Sequence, residues 1–163
     1  MNKKALMNTA ARRMLLGAAA GAAGTTALNI VTYLDMAVRG RPSSSTPEDT
    51  VEALSKVSHL AVPGAAETRP NRMQALGALT GLLAGVGIGA LLGGARAAGW
   101  RPGFKAGSVA ATVGALAGTN GPMTVLGVTD PRTWPASSWA ADIVPHLAYG
   151  AVTAAVLDRL DPT

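Results

Sequence analysis

Four stretches of this chain are almost free of charge. Residues 14–34, 73–95 and 106–129 contain no Asp, Glu, Lys or Arg, and residues 133–157 contain only Asp142. A helix needs roughly 17 to 25 apolar residues to cross a bilayer, so the pattern predicts four transmembrane helices at about residues 14–36, 73–95, 104–128 and 138–157. The sizeable polar loop lies between the first two. Inside it, Thr46-Pro47-Glu48-Asp49 reads as a helix start, with a Thr cap, Pro at the first helical position and acids in the first turn. Val51, Leu54, Val57 and Ala61 recur at helical spacing, Glu52 and Lys56 pair on the other side, and Pro63-Gly64 ends the pattern. A short amphipathic helix over about 47–62 follows. It either lies on the bilayer surface or caps the bundle, or it serves as a gate or docking element. The expected fold class is therefore all-α: one integral membrane domain over 1–163, a polytopic four-transmembrane-helix bundle with an interfacial helix in its first loop.

Composition sharpens this. Of 163 residues, 14% are charged and 48% hydrophobic, against about 25% charged in an ordinary soluble domain. That excludes a water-soluble enzyme and intrinsic disorder. The net charge of +5 would suggest a nucleic-acid partner in a soluble protein, but the basic residues flank the spans and form no stripe interleaved with aromatics. No nucleic-acid partner is expected. There is no cysteine, which removes thiolate metal sites, disulfides and a thiol nucleophile. Tyr33, Trp100, Phe104, Trp134 and Trp139 fall at span ends or connections, where aromatic belts sit, and Tyr149 lies well inside a span. Ala11-Arg12-Arg13-Met14-Leu15-Leu16 also looks like a twin-arginine export signal, but the apolar stretch continues through Leu28, Ile30, Val31 and Leu34, which favours a retained helix. With four spans both termini share one side. Eight Lys and Arg fall there (Lys3, Lys4, Arg12, Arg13, Arg96, Arg101, Lys105, Arg159) and six on the other, so both termini are expected in the cytoplasm of a bacterial inner membrane.

The second span carries Gly77, Gly81, Gly85, Gly89 and Gly93 at strict four-residue spacing. Each step advances the stripe by only about 40 degrees on a helix of 3.6 residues per turn, so a smooth groove winds around one side. Helices in lipid associate by close packing, and such a glycine zipper admits another backbone. The partner is either another helix of this chain or a second subunit. The third span has Gly107, Ala111, Gly114 and Gly118 before Asn120-Gly121-Pro122, which reads as a break or a proline kink.

Polar residues inside spans are costly unless paired or wet. Counting about 1.5 Å of rise per residue from each span start, Asn29, Thr80, Asn120, Asp142 and His146 all come out about 18 to 24 Å from the N-terminal face of a roughly 30 Å core. They define a candidate polar pocket or proton site. Asp142 and His146 are four apart on one helical face, so each can supply the other's hydrogen bond and the pair can hold or pass a proton. The same residues could equally lock the last helix to its neighbours. Asp35 has Arg39 four residues on, and a local salt bridge accounts for it. No nucleophile–base–acid set, phosphate loop or metal-ligand spacing is present, so neither enzyme chemistry nor a cofactor is expected.

Gly127-Val128-Thr129-Asp130-Pro131, followed by Trp139, Asp142, His146-Leu147 and Asp158-Arg159-Leu160, resembles the closing helix of the YagU-like bacterial inner-membrane proteins, with a second echo in Arg41-Pro42-Ser43-Ser44. The resemblance covers about 35 residues; that family has a Gly-x-Thr-x-Pro turn, then an aromatic, an acid and a His. It implies an inner-membrane location, an association with acid tolerance and importance for Asp142 and His146. The glycine stripe and the low aromatic content depart from that family. Taken together, the chain is expected to be a non-enzymatic accessory or assembly subunit packing through its second span, in the lipid bilayer with a membrane-protein partner or a second copy of itself. A small proton-linked carrier or channel is the alternative.

Overall fold

The computed structural model describes residues 3–162, with side chains from residue 7 onward, so the side chains of Lys3 and Lys4 lie outside the described residues. The described residues are helical throughout, without strands: α1 (Lys3–Arg39), α2 (Thr46–Ser58), α3 (Arg69–Ala97), α4 (Phe104–Val125) and α5 (Ala136–Leu160), with a single 3-10 turn at Pro131–Thr133. Three of them are long and apolar enough to cross a membrane, namely Met7–Arg39, Arg69–Ala97 and Ala136–Leu160. The expected third span, α4, is not among them. It is helical over 22 residues, but Ser108, Thr112, Thr119, Asn120 and Pro122 dilute its apolar character.

Contacts along the seams set the topology. Arg13, Gly17, Gly21 and Thr25 of α1 meet α3 in descending order from Arg96 to Gly85, so these helices run antiparallel. Gly24 of α1 meets Tyr149 and Thr153 of α5, and Val31 and Asp35 share a cleft with Ala140, Ala141 and Val144. Thr112 and Asn120 of α4 reach His146 and Asp142 of α5. The result is an up-down-up-down bundle of α1, α3, α4 and α5, with α1 seated between α3 and α5 and α4 leaning mainly on α5. Leu28, Ile88 and Leu92, Ala111 and Ala115, and Tyr149 meet at its centre, a contribution from each of the four helices. The bundle is inverted relative to a soluble protein: glycine, alanine and threonine fill the seams while Leu15, Leu83, Leu91, Val109 and Val113 face outward. That is the distribution close packing in lipid favours.

Several boundaries differ from the sequence expectation. Helix α1 starts about ten residues before the expected span, because Lys, Ala, Leu and Met upstream are good helix formers and nothing there stops the helix. Arg12 and Arg13 are consequently part of it. Helix α2 ends at Ser58, before Pro63-Gly64, where His59 takes the left-handed conformation (φ 57°) and its N–H and that of Leu60 bond back to Lys56 and Ser55. Of the break or proline kink expected at Asn120-Gly121-Pro122, the break does not occur. Helix α4 continues through it to Val125, forgoing only the bond that an N–H at Pro122 would make to Gly118, and the helix stops at Gly127 (φ 70°) with Val128 N–H bonded to Met123 and Gly127 N–H to Thr124.

Candidate functional site: a polar seam and a buried charge cluster

The α4/α5 seam brings together three of the five candidate polar residues. Asn120 Nδ2 donates to Asp142 Oδ2 at 2.8 Å. His146 Nδ1 lies 2.7 Å from the backbone oxygen of Asp142 and 3.3 Å from its Oδ1. A carbonyl oxygen only accepts, so the Nδ1 position carries the proton and Nε2 is left for another partner. Pro145, lacking an N–H, leaves the Ala141 carbonyl without its helical donor, one residue before the Asp142 oxygen that the imidazole approaches. His146 is buried at 8% exposure and Asp142 is half-buried. One turn further along α5, Thr112 Oγ1 donates to the oxygen of His146 at 3.3 Å, and Gly150 lets α4 come close to α5 at Ser108 and Thr112.

Asn29 and Thr80 do not join this group. Thr80 donates to Gly77 O of its own helix at 2.7 Å, and half-buried Asn29 makes no hydrogen bond with a described residue. Equal depth in the membrane is not proximity; the seam on which a side chain points decides it.

The stripe on α3 divides between two neighbours. A Cβ at Gly85 would strike Thr25 Oγ1, one at Gly89 the backbone of Gly17 and Gly21, and one at Gly93 the backbone of Arg13 and Met14. Gly77 instead faces Pro47, the first residue of α2 after its Thr, with 2.9 Å between the two Cβ positions. Gly81 has open space around it. The complementary glycines, Gly17 and Gly21 on α1, were visible in the sequence as a four-residue repeat within its Gly/Ala run. Buried Tyr149 then bolts α5 to α3: its hydroxyl donates to Gly85 O at 2.7 Å.

Sequence reading missed the charge cluster at the end of the bundle where α3 and α5 finish. Arg96, a span-flanking residue by sequence, is 3% exposed. Its Nη1 donates to the backbone oxygens of Leu157 (3.2 Å) and Asp161 (2.9 Å), and its Nη2 pairs with Asp158. Asp161, 6% exposed, places one carboxylate oxygen 3.4 Å from Arg13 Nε and 3.1 Å from Arg101 Nη2. The available signal was that Arg13, Arg96 and Asp158 fall at matching span ends.

At the opposite end the ion pairs lie nearer the surface. Asp35 binds Arg39, as expected, and also Arg41. Glu52 of α2 binds Arg69 of α3, and this hydrogen bond holds its carboxyl below the usual glutamate range. Asp130 is lowered in the same way by the Arg132 guanidinium and by the Arg132 backbone N–H. Trp134 and Trp139 pack edge to face here, with centroids 5.2 Å apart, and Trp134 Nε1 donates to Thr129.

Comparison with known protein families, with curated proteins and with solved structures finds no match for the chain.

Proposed function

We propose that this is a small integral inner-membrane protein in which α4 also crosses the bilayer, and that it acts as a non-enzymatic accessory or assembly subunit. At 22 residues, α4 is about 33 Å long, and its uncharged polar side chains hydrogen-bond to its own carbonyls or to α5, which is the condition for polar residues in hydrocarbon. Exposed Leu54 and Val57 on α2, with Leu60 just beyond its end, suit a helix lying at the headgroup boundary. Removing α1 at an export-type cleavage site would strip the backbone contacts of Gly85, Gly89 and Gly93, which supports its retention.

The observation that carries the accessory reading is the filled bundle axis. Ala20, Ala111, Ala115, Tyr149, Thr153 and Ala154 are each at most 5% exposed, leaving no room for a solute along the axis of one copy. A cleft of about 140 Å³ opens on the outer flank between α1 and α5, away from the axis. Because most of the α3 stripe is occupied within the chain, a partner helix is assigned to the outer face around Gly81, next to Leu82 and Leu83. Extraction in mild detergent, followed by mass measurement and identification of what co-migrates, tests this. A companion of fixed stoichiometry that Gly81→Trp releases, with the unfolding midpoint unchanged, is the expected result. A lone monomer or homo-oligomer sinks it.

A second reading, a proton-linked carrier or channel, draws on the Asn120–Asp142–His146 group and on the resemblance to the YagU-like proteins. The free Nε2 of His146 is the atom it would use. It requires that Asp142→Asn change proton flux in liposomes while the protein stays folded; equal flux in both proteins, or none in either, rejects it.

A further inference from the structure

The two ends of the bundle differ in charge far more than a count of Lys and Arg suggests. At the end where α1 begins and α5 finishes, eight Lys and Arg meet two acids, Asp158 and Asp161; at the other end six meet six. Both acids of the basic end are already engaged, Asp158 by Arg96 and Asp161 by Arg13 and Arg101. One carboxylate oxygen of Asp161 serves two guanidinium groups, and Arg13 Nε is buried without a hydrogen bond of its own. Arg12, Lys105 and Arg159 are exposed around this cluster and have no acidic partner among the described residues. Trp100 and Phe104, about half exposed, sit on the same connection as Arg101.

We propose that this rim is a binding site for the headgroups of anionic phospholipids, an inference that rests on the membrane reading above. A phosphodiester presents two anionic oxygens that match the fork of a guanidinium group, and the cluster lacks that acceptor. Its place at the ends of apolar helices, beside aromatic residues of the kind that lie at headgroup depth, selects a phosphate held in the bilayer over a free one. The far rim is neutral overall, and five of its six cations, all but Arg72, already pair with an acid there, so its attraction for an anion is weaker. Anionic lipid on the cytoplasmic leaflet would then hold the protein in the orientation with both termini inside.

The full chain is first floated with phosphatidylcholine liposomes; failure to float overturns the membrane reading itself. The unfolding midpoint is then compared in phosphatidylcholine with and without phosphatidylglycerol. A ligand that binds only the folded state raises the midpoint, so phosphatidylglycerol is expected to raise it by several degrees, less at high salt. The combined Arg12→Gln, Lys105→Gln and Arg159→Gln variant is expected to lose most of that rise, and Arg132→Gln at the far end to keep it. Equal midpoints in the two lipids, or a rise insensitive to salt, overturn the headgroup site. Inorganic phosphate reproducing the rise overturns it in favour of a free-anion site. Should the combined variant fail to fold, the salt series on the unaltered protein still decides.

Discussion

The α1/α3 seam and the α4/α5 seam solve the same problem by different means. Between α1 and α3 the contact is backbone on backbone, with Gly17 and Gly21 facing Gly85, Gly89 and Gly93. Between α4 and α5 it is made by side chains, with Asn120 on Asp142 and Thr112 on the oxygen of His146. The first seam gains dispersion contacts that require an absent Cβ. The second gains hydrogen bonds, each modest in a membrane because the separated helices also find partners. The first should therefore be intolerant of volume, and the second tolerant of single polar changes.

The largest effect should come from Gly89→Leu, since the atoms it meets are backbone and cannot rotate away. The expected loss is about 3 kcal/mol or more, the upper end of overpacking costs, measured by equilibrium unfolding in detergent. Gly81→Leu, one member of the same stripe, should cost less than about 0.5 kcal/mol because it meets nothing. Similar losses at both positions would refute the division of the stripe.

Next should be Arg96→Leu, which leaves Asp158 and the oxygens of Leu157 and Asp161 without their donor. Breaking a buried pair from one side costs about 3–5 kcal/mol, and the partial exposure of Asp158 points to the lower end. A thermal midpoint within a degree of wild type would show the cluster to be dispensable.

On the hydrogen-bonded seam the effects shrink. Asn120→Leu should cost about 0.5–1.5 kcal/mol, the range for interhelical hydrogen bonds in membranes. Asp142→Asn should cost less still, because an amide oxygen can accept from Asn120 in its place. An Asp142→Asn variant less stable than Asn120→Leu would mean that the carboxylate charge itself, acting on His146, holds the seam.

The smallest effect concerns α2, on which Val51 is buried and which is attached by Pro47 on Gly77 and by Glu52 on Arg69. The carboxyl of Glu52 is lowered in the folded protein, so its contribution is complete above the ordinary glutamate value of 4.5 and is lost as pH falls through the lower folded value. The protection of α2 amides, corrected for intrinsic exchange, should fall in wild type as pH drops below 4.5, and Glu52→Gln should show that lower protection already at neutral pH. Identical pH profiles for the two proteins would remove Glu52–Arg69 from the docking of α2.

Much of the fold was legible because the bilayer imposes a one-dimensional code. Uncharged runs of about span length marked where all four long helices lie, and the Thr46-Pro47-Glu48-Asp49 start located α2 to within one residue, with Ser45 rather than the expected Thr46 at the cap position and no side-chain cap bond. Helix ends were less legible. They depend on single residues whose backbone can turn left-handed, such as His59, and nothing about a histidine announces that role.

The candidate site was half legible for a related reason. Asp142 and His146 pair along one helix, so their four-residue spacing alone brought them together. Asn120, Asn29 and Thr80 had to be matched across helices, where depth gives one coordinate and the seam gives the other. Charge at span ends was equally ambiguous: Arg96 and Arg101 read alike in sequence, yet Arg96 is buried and Arg101 half-exposed.

The sequence by itself determined an all-helical membrane-like chain, its long helices, and a glycine face demanding a close neighbour. Only the tertiary structure decided that α1 is that neighbour, that Arg96 closes one end, and that Asn120 alone of the distant candidates reaches Asp142. Periodicity and hydropathy are properties of one helix at a time, whereas a hydrogen bond or a backbone contact between helices depends on the rotation of each about its own axis, which packing of the whole bundle sets.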